Sequence, residues 1–152
     1  MFSSYLTYRK QAVYCNGNQS PLENIGRGVP QGSILGPLLF LVYINDIVNA
    51  SGKFSFVIFA DDTNLLMSHK SIVSLHENAN VELEKISRWV LANDLSINVK
   101  KTNYVLFQSR SVSIDFDPII LQGCELERVS HTKFLGVIIG ENLNWKKHIQ
   151  SV

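Results

Sequence analysis

A chain of 152 residues, 45% of them hydrophobic and 18% charged, is long enough to bury a core and too apolar for a disordered segment. Its formal net charge of +1 excludes a uniformly basic nucleic-acid coat, so any such contact must come from local basic clusters or from parts of a longer protein. The two cysteines, Cys15 and Cys124, belong to no CxxC or Cys/His pattern and read as ordinary thiols of an intracellular protein.

Along the chain, residues 2–10 are expected to hold the end of a helix, and residues 11–14 a strand running into a turn at Asn16-Gly17. Residues 26–32 form a tight loop with three glycines and a proline. Residues 35–48 are densely apolar, with Leu38, Leu41 and Val42 at helical spacing, and predict a buried helix with Asn45-Asp46 near its end. The most apolar run, residues 34–44, contains Gly36 and Pro37 and is well short of the ~20 residues of a bilayer span. No basic-then-apolar leader opens the chain, so a soluble protein with no membrane contact is expected. Residues 54–59 and 65–67 predict a hairpin with Asp61 and Asp62 both in its turn.

Residues 71–92 give the clearest helix, with Ile72, Leu75, Ala79, Leu83, Ile86 and Val90 stepping by three or four. Glu77, Glu82, Glu84, Lys85 and Arg88 are assigned to the opposite, solvated side, where Glu84 and Arg88 form a favourable pair. Asn93-Asp94 stops this helix. Leu95, Ile97 and Val99 alternate, as do Val105 and Phe107, which predicts strands. Residues 119–121 and 125–129 flank Gln122-Gly123 as a hairpin, residues 134–139 read as a strand, and residues 144–150 begin a helix. With no linker or repeat, the order predicts an α+β fold, an antiparallel sheet with two helices packed on one face.

Adjacent aspartates in an apolar strand context are the first candidate for chemistry. In a regular strand they would point to opposite faces, whereas in a turn both can aim to one side, where a cation offsets their repulsion. Such hard oxygen ligands suit Mg²⁺, and two-metal phosphoryl transfer is the chemistry they suggest. Taken alone, Asp-Asp is also a common turn dipeptide. The loop Gly28-Val29-Pro30-Gln31-Gly32-Ser33, opening into an apolar helix, is either an approach site for an anionic ligand or a helix-initiating turn. It is not a Walker A loop, because no Gly-Lys-Ser/Thr follows. Lys100-Lys101 and Lys146-Lys147-His148 are either phosphate contacts or solvated surface. Trp89 and Trp145 read as packing edges of helices, and His69, His76 and His131 have no partner at ligand spacing.

In order, these blocks resemble the reverse transcriptases of non-LTR retrotransposons, the jockey-like group in particular. The resemblance is carried by residues 28–40, beginning Gly28-Val29-Pro30-Gln31-Gly32-Ser33, and by Tyr43-Ile44-Asn45-Asp46-Ile47. It continues through Phe59-Ala60-Asp61-Asp62-Thr63, Trp89, Asn93-Asp94-Leu95-Ser96-Ile97-Asn98 and Lys101-Thr102 to Phe107. Phe134-Leu135-Gly136-Val137, Leu143, Trp145, His148 and Ile149 close it. The ordered set covers nearly the whole chain, and the first two blocks are highly specific in combination.

The resemblance implies a palm domain over residues 1–142 and the start of a thumb over residues 143–152. It implies RNA-directed DNA polymerase activity: a primer 3′-hydroxyl attacks a dNTP, with RNA template, DNA primer and dNTP as partners. Asp61 and Asp62 would hold metal in a two-ion Mg²⁺ site, and Lys101 would act near the triphosphate. Pro30, Gln31 and Gly32, with Phe59 and Ala60, would contact template and nascent base pair. Phe134, Leu135 and Gly136 would hold the primer end, and the family's habit of priming at chromosomal targets implies the nucleus. The family's first palm motif supplies another metal-binding aspartate upstream of the Pro-Gln-Gly loop. Here the 27 residues before Gly28 contain none, their one acid being Glu23. That departure makes the site incomplete in these residues, so the chain alone is expected to be inactive. The runner-up is a non-catalytic truncated or exapted remnant that binds nucleic acid or a partner. A Mg²⁺-dependent phosphatase or nuclease would leave the Pro-Gln-Gly and Phe-Leu-Gly blocks unexplained. Asp115 and Asp117 read as surface residues.

Overall fold

The computed structural model describes residues 2–30, 32–108 and 117–151. They fall into two units, Met1–Ile44 and Asn45–Val152.

In the first unit, helix α1 (Phe2–Leu6) precedes a two-stranded ladder of β1 (Lys10–Gln11) on β4 (Glu23–Asn24). Between them β2 (Tyr14–Cys15) turns back on β3 (Asn18–Gln19). Asn16 and Gly17 both have positive φ, 49° and 79°, the primed turn whose twist matches paired strands. The strand expected over residues 11–14 is thus two separate pairings, because Gln11 and Tyr14 ladder with different partners. Helix α2 (Leu35–Ile44) ends earlier than predicted; Asn45–Ala50, which belong to the second unit, form a separate 3-10 helix. Nor is α2 the buried helix expected: Gly36 and Ile44 are buried, while Leu38, Leu41 and Val42 are exposed. A helix that is apolar around its circumference carries no pattern that selects an inward face.

The second unit is organised by helix α3 (Ile72–Ala92). Ser71 caps it in extended conformation, its side chain accepting from the Ser74 amide, and Asn93 closes it with its amide on the Trp89 carbonyl. Leu83 packs with Ile119, Leu121 and Leu126 in the core, and Phe54, Leu65, Ala79, Ile97, Val99 and Tyr104 lie against them. One sequence assignment on α3 is wrong. Glu82 is 1% exposed and is the largest fully buried side chain among the described residues. It stands three after Ala79 and four before Ile86, which places it on the apolar stripe and not on the solvated side.

The remaining strands are short. Leu95, Ile97 and Val99 alternate in burial as expected, yet they form no strand. Their backbone bonds close locally, Leu95 N–H on the Val90 carbonyl and Lys101 N–H on that of Asn98, within a turn and a 3-10 helix (Val99–Lys101). Val105 and Phe107, expected in a strand, lie in none: β7 (Asn103–Tyr104) ends before them and pairs in parallel with β10 (Glu127–Arg128). The hairpin of β8 (Ile120–Leu121) and β9 (Cys124–Glu125) turns at Gln122-Gly123 as predicted, but the arm expected over 125–129 is divided, its Glu127–Arg128 pairing with β7 instead. Residues 134–139 are not one strand: β11 (His131–Phe134) reverses at Leu135-Gly136 into β12 (Val137–Gly140). Helix α4 (Lys146–Ser151) packs on β12.

With β5 (Ser55–Phe59) on β6 (Asp62–Leu66), the described strands make six two-stranded pairs, five antiparallel and one parallel, where one continuous sheet was expected. Mixed helices with small, mainly antiparallel sheets are an α+β arrangement. Among the described residues no helix is long and apolar enough to cross a membrane. Both cysteines are free and exposed.

Candidate active site

The aspartate pair sits at the tip of the β5–β6 hairpin. Five residue pairs form the ladder, from Ser55 opposite Leu66 to Phe59 opposite Asp62. The turn is therefore only Ala60-Asp61, and Asp62 is the first residue of β6, a correction to the expectation that both carboxylates lie in the turn. Strand alternation then puts Asp62 on the face of Asn64, away from Leu65, which packs on the core. Asp61 is released from that alternation by the turn, so the two carboxylates need not point to opposite sides. Both are exposed, and Phe59, the cross-strand neighbour of Asp62, is 63% exposed. Ala60 holds a φ of 52°, a left-handed backbone unusual for a residue with a Cβ.

Exposed carboxylates at one hairpin tip are the ligand type that a hard divalent cation takes, with water and phosphate oxygens completing its shell. They do not make a full protein cage. Among the described residues no three His, Cys, Asp or Glu side chains gather as a metal-binding group.

Phe134, Leu135 and Gly136 come together at the turn of the β11–β12 hairpin. Leu135 and Gly136 have φ of 47° and 87°, and Leu135 is half exposed at the turn. At the far end of the same hairpin, where His131 pairs with Gly140, Lys147 Nζ lies 2.9 Å from His131 Nδ1, and Ser130 Oγ 3.0 Å from the same atom. His131 thus has partners, which sequence spacing did not show. Lys101 ends the short 3-10 helix with an exposed side chain. His76 is buried, its Nδ1 3.3 Å from the Asp117 carbonyl and its ring edge-on to Tyr104. Asp117 is exposed as expected, and Asp115 lies outside the described residues.

In the first unit, Pro30 and Gly32 lie in the predicted loop before α2, and Gln31 lies outside the described residues. The loop is braced through Ser33. Its hydroxyl accepts from Tyr5 Oη at 2.6 Å and from the Gly36 amide at 3.1 Å, and donates to the Pro30 carbonyl at 2.8 Å. A Cβ on Gly36 would meet Ser33 Oγ at 2.8 Å, so glycine there permits the brace. The Arg9 guanidinium donates to the carbonyls of Arg27 and Gly28.

A contact at the entry to the aspartate hairpin was not evident in the sequence. Ser51 Oγ donates to Glu82 Oε2 at 2.6 Å, and Lys85 Nζ donates to Glu82 Oε1 at 2.6 Å. The Lys85 hydrogen bond first, and that of Ser51 second, hold the Glu82 carboxyl below the ordinary value of 4.5. Its spacing on the apolar stripe was the available signal. Tyr104 is pushed above its ordinary value by burial.

The reverse transcriptase (RNA-dependent DNA polymerase) family model matches residues 1–139, a span that contains the aspartate hairpin, the Pro-Gln-Gly loop and the Phe-Leu-Gly turn. The chain belongs to the reverse transcriptase family. Within it, the resemblance is to the non-LTR, jockey-like members. The chain is 30% identical over its whole length to an RNA-directed DNA polymerase from mobile element jockey of Drosophila funebris. It is 28% identical, also over its whole length, to a probable RNA-directed DNA polymerase from transposon X-element of Drosophila melanogaster. A Pol polyprotein from a type-1 retrotransposable element R1 of Bradysia coprophila is 28% identical over 97% of the chain. The chain spans 17% of the first two relatives and 15% of the third. No solved structure matches it.

Proposed function

We propose that the chain is the palm portion of an RNA-directed DNA polymerase, with the thumb beginning near residue 143, and that Asp61 and Asp62 are its metal-binding carboxylates. The observation that carries this reading is the placement of both aspartates, exposed, at the tip of one hairpin in a chain that the family model covers from 1 to 139. Bound Mg²⁺ ions would neutralise charge on the dNTP phosphates and the attacking primer hydroxyl. Asp61 and Asp62 would orient those ions from the turn and from the first strand position. Lys101 would offer its ammonium to the triphosphate. The loop of Pro30, Gln31 and Gly32, with Phe59 and Ala60, would contact the RNA template and the nascent pair. Phe134, Leu135 and Gly136 would hold the DNA primer end.

No aspartate precedes Asp46 in these residues, and a two-ion site would call for a further carboxylate beside Asp61 and Asp62. The 152 residues by themselves are therefore expected to bind a divalent ion weakly and to extend no primer. Paramagnetic broadening by Mn²⁺ tests the site: amide signals of residues 60–63 should broaden first, and the effect should be lost in Asp61→Asn/Asp62→Asn. Broadening that persists in the double variant would refute the assignment.

A further inference from the structure

We infer that Glu82 is a positioning residue for the Asp61-Asp62 hairpin, acting through Ser51. The inference deepens the metal-site reading above and rests on it for its consequence in the reaction, though the mechanical part can be tested alone.

Ser51 is buried and stands four residues before β5. Its hydroxyl donates to Glu82 Oε2 and accepts from the amides of Lys53, at 3.3 Å, and Phe54, at 3.2 Å. Lys53 Nζ also donates to Asn78 Oδ1 at 2.6 Å. Asn78 and Glu82 are one helical turn apart on α3, so the segment entering the hairpin is fastened to two successive turns of that helix. Both Glu82 carboxylate oxygens are engaged, one by Ser51 and the other by Lys85.

The hairpin needs such an attachment. β5 and β6 pair only with each other among the described strands, and a lone two-stranded ribbon is marginal without support. Phe54 and Leu65 anchor it to the core by apolar contact, which is non-directional. The Ser51–Glu82 bond is charge-assisted and directional, and fixes where the strand begins. Five ladder pairs transmit that start point to Asp62 and to the turn holding Asp61. A packing role alone would be met by an apolar side chain of similar size. A glutamine cannot reproduce the carboxylate, because its amide donates where Ser51 or Lys85 also donates.

Amide hydrogen exchange on the 152-residue chain tests this, with Mn²⁺ broadening as a second reading on the same samples. In Ser51→Ala and Glu82→Gln, amides of residues 56–66 should exchange about tenfold faster, while those of the β11–β12 hairpin keep their wild-type rates. Ser51→Thr, which keeps the hydroxyl, should restore protection. Broadening of residues 60–63 should require several-fold more Mn²⁺ in the two impairing variants. Should Glu82→Gln not fold, Ser51→Ala carries the comparison. Unchanged exchange in the hairpin, an equal rise in both hairpins, or failure of Ser51→Thr to rescue would overturn the inference. Faster exchange in a chain whose wild type shows no Mn²⁺ broadening would instead refute the metal-site reading and leave the attachment standing.

Discussion

Phe59 and Asp62 face each other across the last rung of the β5–β6 ladder, which leaves Asp61 alone with Ala60 in the turn. The two aspartates are adjacent in sequence and unequal in structure. The direction of Asp62 is fixed by strand alternation, that of Asp61 by the turn conformation. The tightness of that turn is paid in backbone strain at Ala60.

Relieving this strain should be measurable. Ala60→Gly should stabilise the chain by about 0.5 kcal/mol, since the left-handed cost of about 1–2 kcal/mol outweighs the entropy of a glycine, about 0.4–1 kcal/mol. Ala60→Val should destabilise it by about 1 kcal/mol, because a β-branched side chain tolerates positive φ poorly. Urea unfolding midpoints at constant m-value check both signs.

Turn glycines elsewhere should respond in the opposite sense. Gly123 and Gly136 hold φ of 75° and 87°, and neither has a neighbour that a Cβ would strike. Alanine at either should therefore cost about 1 kcal/mol from backbone conformation alone, read as a lowered Tm. No change on Gly136→Ala would mean that the Leu135-Gly136 turn is not left-handed in solution.

Core truncation should separate buried from exposed leucines. Leu121 is 3% exposed and packs with Leu83, Ile119 and Leu126, so Leu121→Ala should cost about 2–5 kcal/mol. Leu143 is 71% exposed, and Leu143→Ala should change stability by less than about 0.5 kcal/mol.

Glu82 should make stability depend on pH in one direction. Its carboxyl in the folded chain lies below the ordinary 4.5, chiefly through Lys85 and then Ser51. A lowered folded value contributes stability that is fully present above the ordinary value and is lost as pH falls through the folded one. The urea midpoint of the wild type should therefore exceed that of Glu82→Gln at neutral pH, and the difference should shrink below about pH 4.5. A gap of constant size down to strong acid would contradict the ionised, bonded state of Glu82.

Much of this was legible in the sequence, for identifiable reasons. Helix α3 was readable because its apolar residues repeat at helical spacing between Ser71 and Asn93, and the β2–β3 and β8–β9 turns because Gly17 and Gly123 each stand where a two-residue turn takes positive φ. Leu135-Gly136 uses the same turn geometry, but the apolar residues around it hid the reversal inside what read as one strand. Glu82 was misplaced because charge was weighed above its position on the stripe, and its partner Ser51 is distant in sequence. The alternation of Leu95, Ile97 and Val99 reported burial correctly, yet a period of two does not by itself supply a strand partner. Five residues of the aspartate hairpin were legible as a block, while the division of labour between Asp61 and Asp62 depended on the register of the ladder.

Primer extension on poly(rA)/oligo(dT) with Mg²⁺ reads the proposed activity itself, using these 152 residues alone and joined to the aspartate-bearing upstream segment of a related polymerase. The chain alone should show no incorporation, whereas the joined protein should incorporate and should lose that activity in Asp61→Asn. Incorporation that survives Asp61→Asn/Asp62→Asn, or a joined protein that remains silent, would contradict the proposed function.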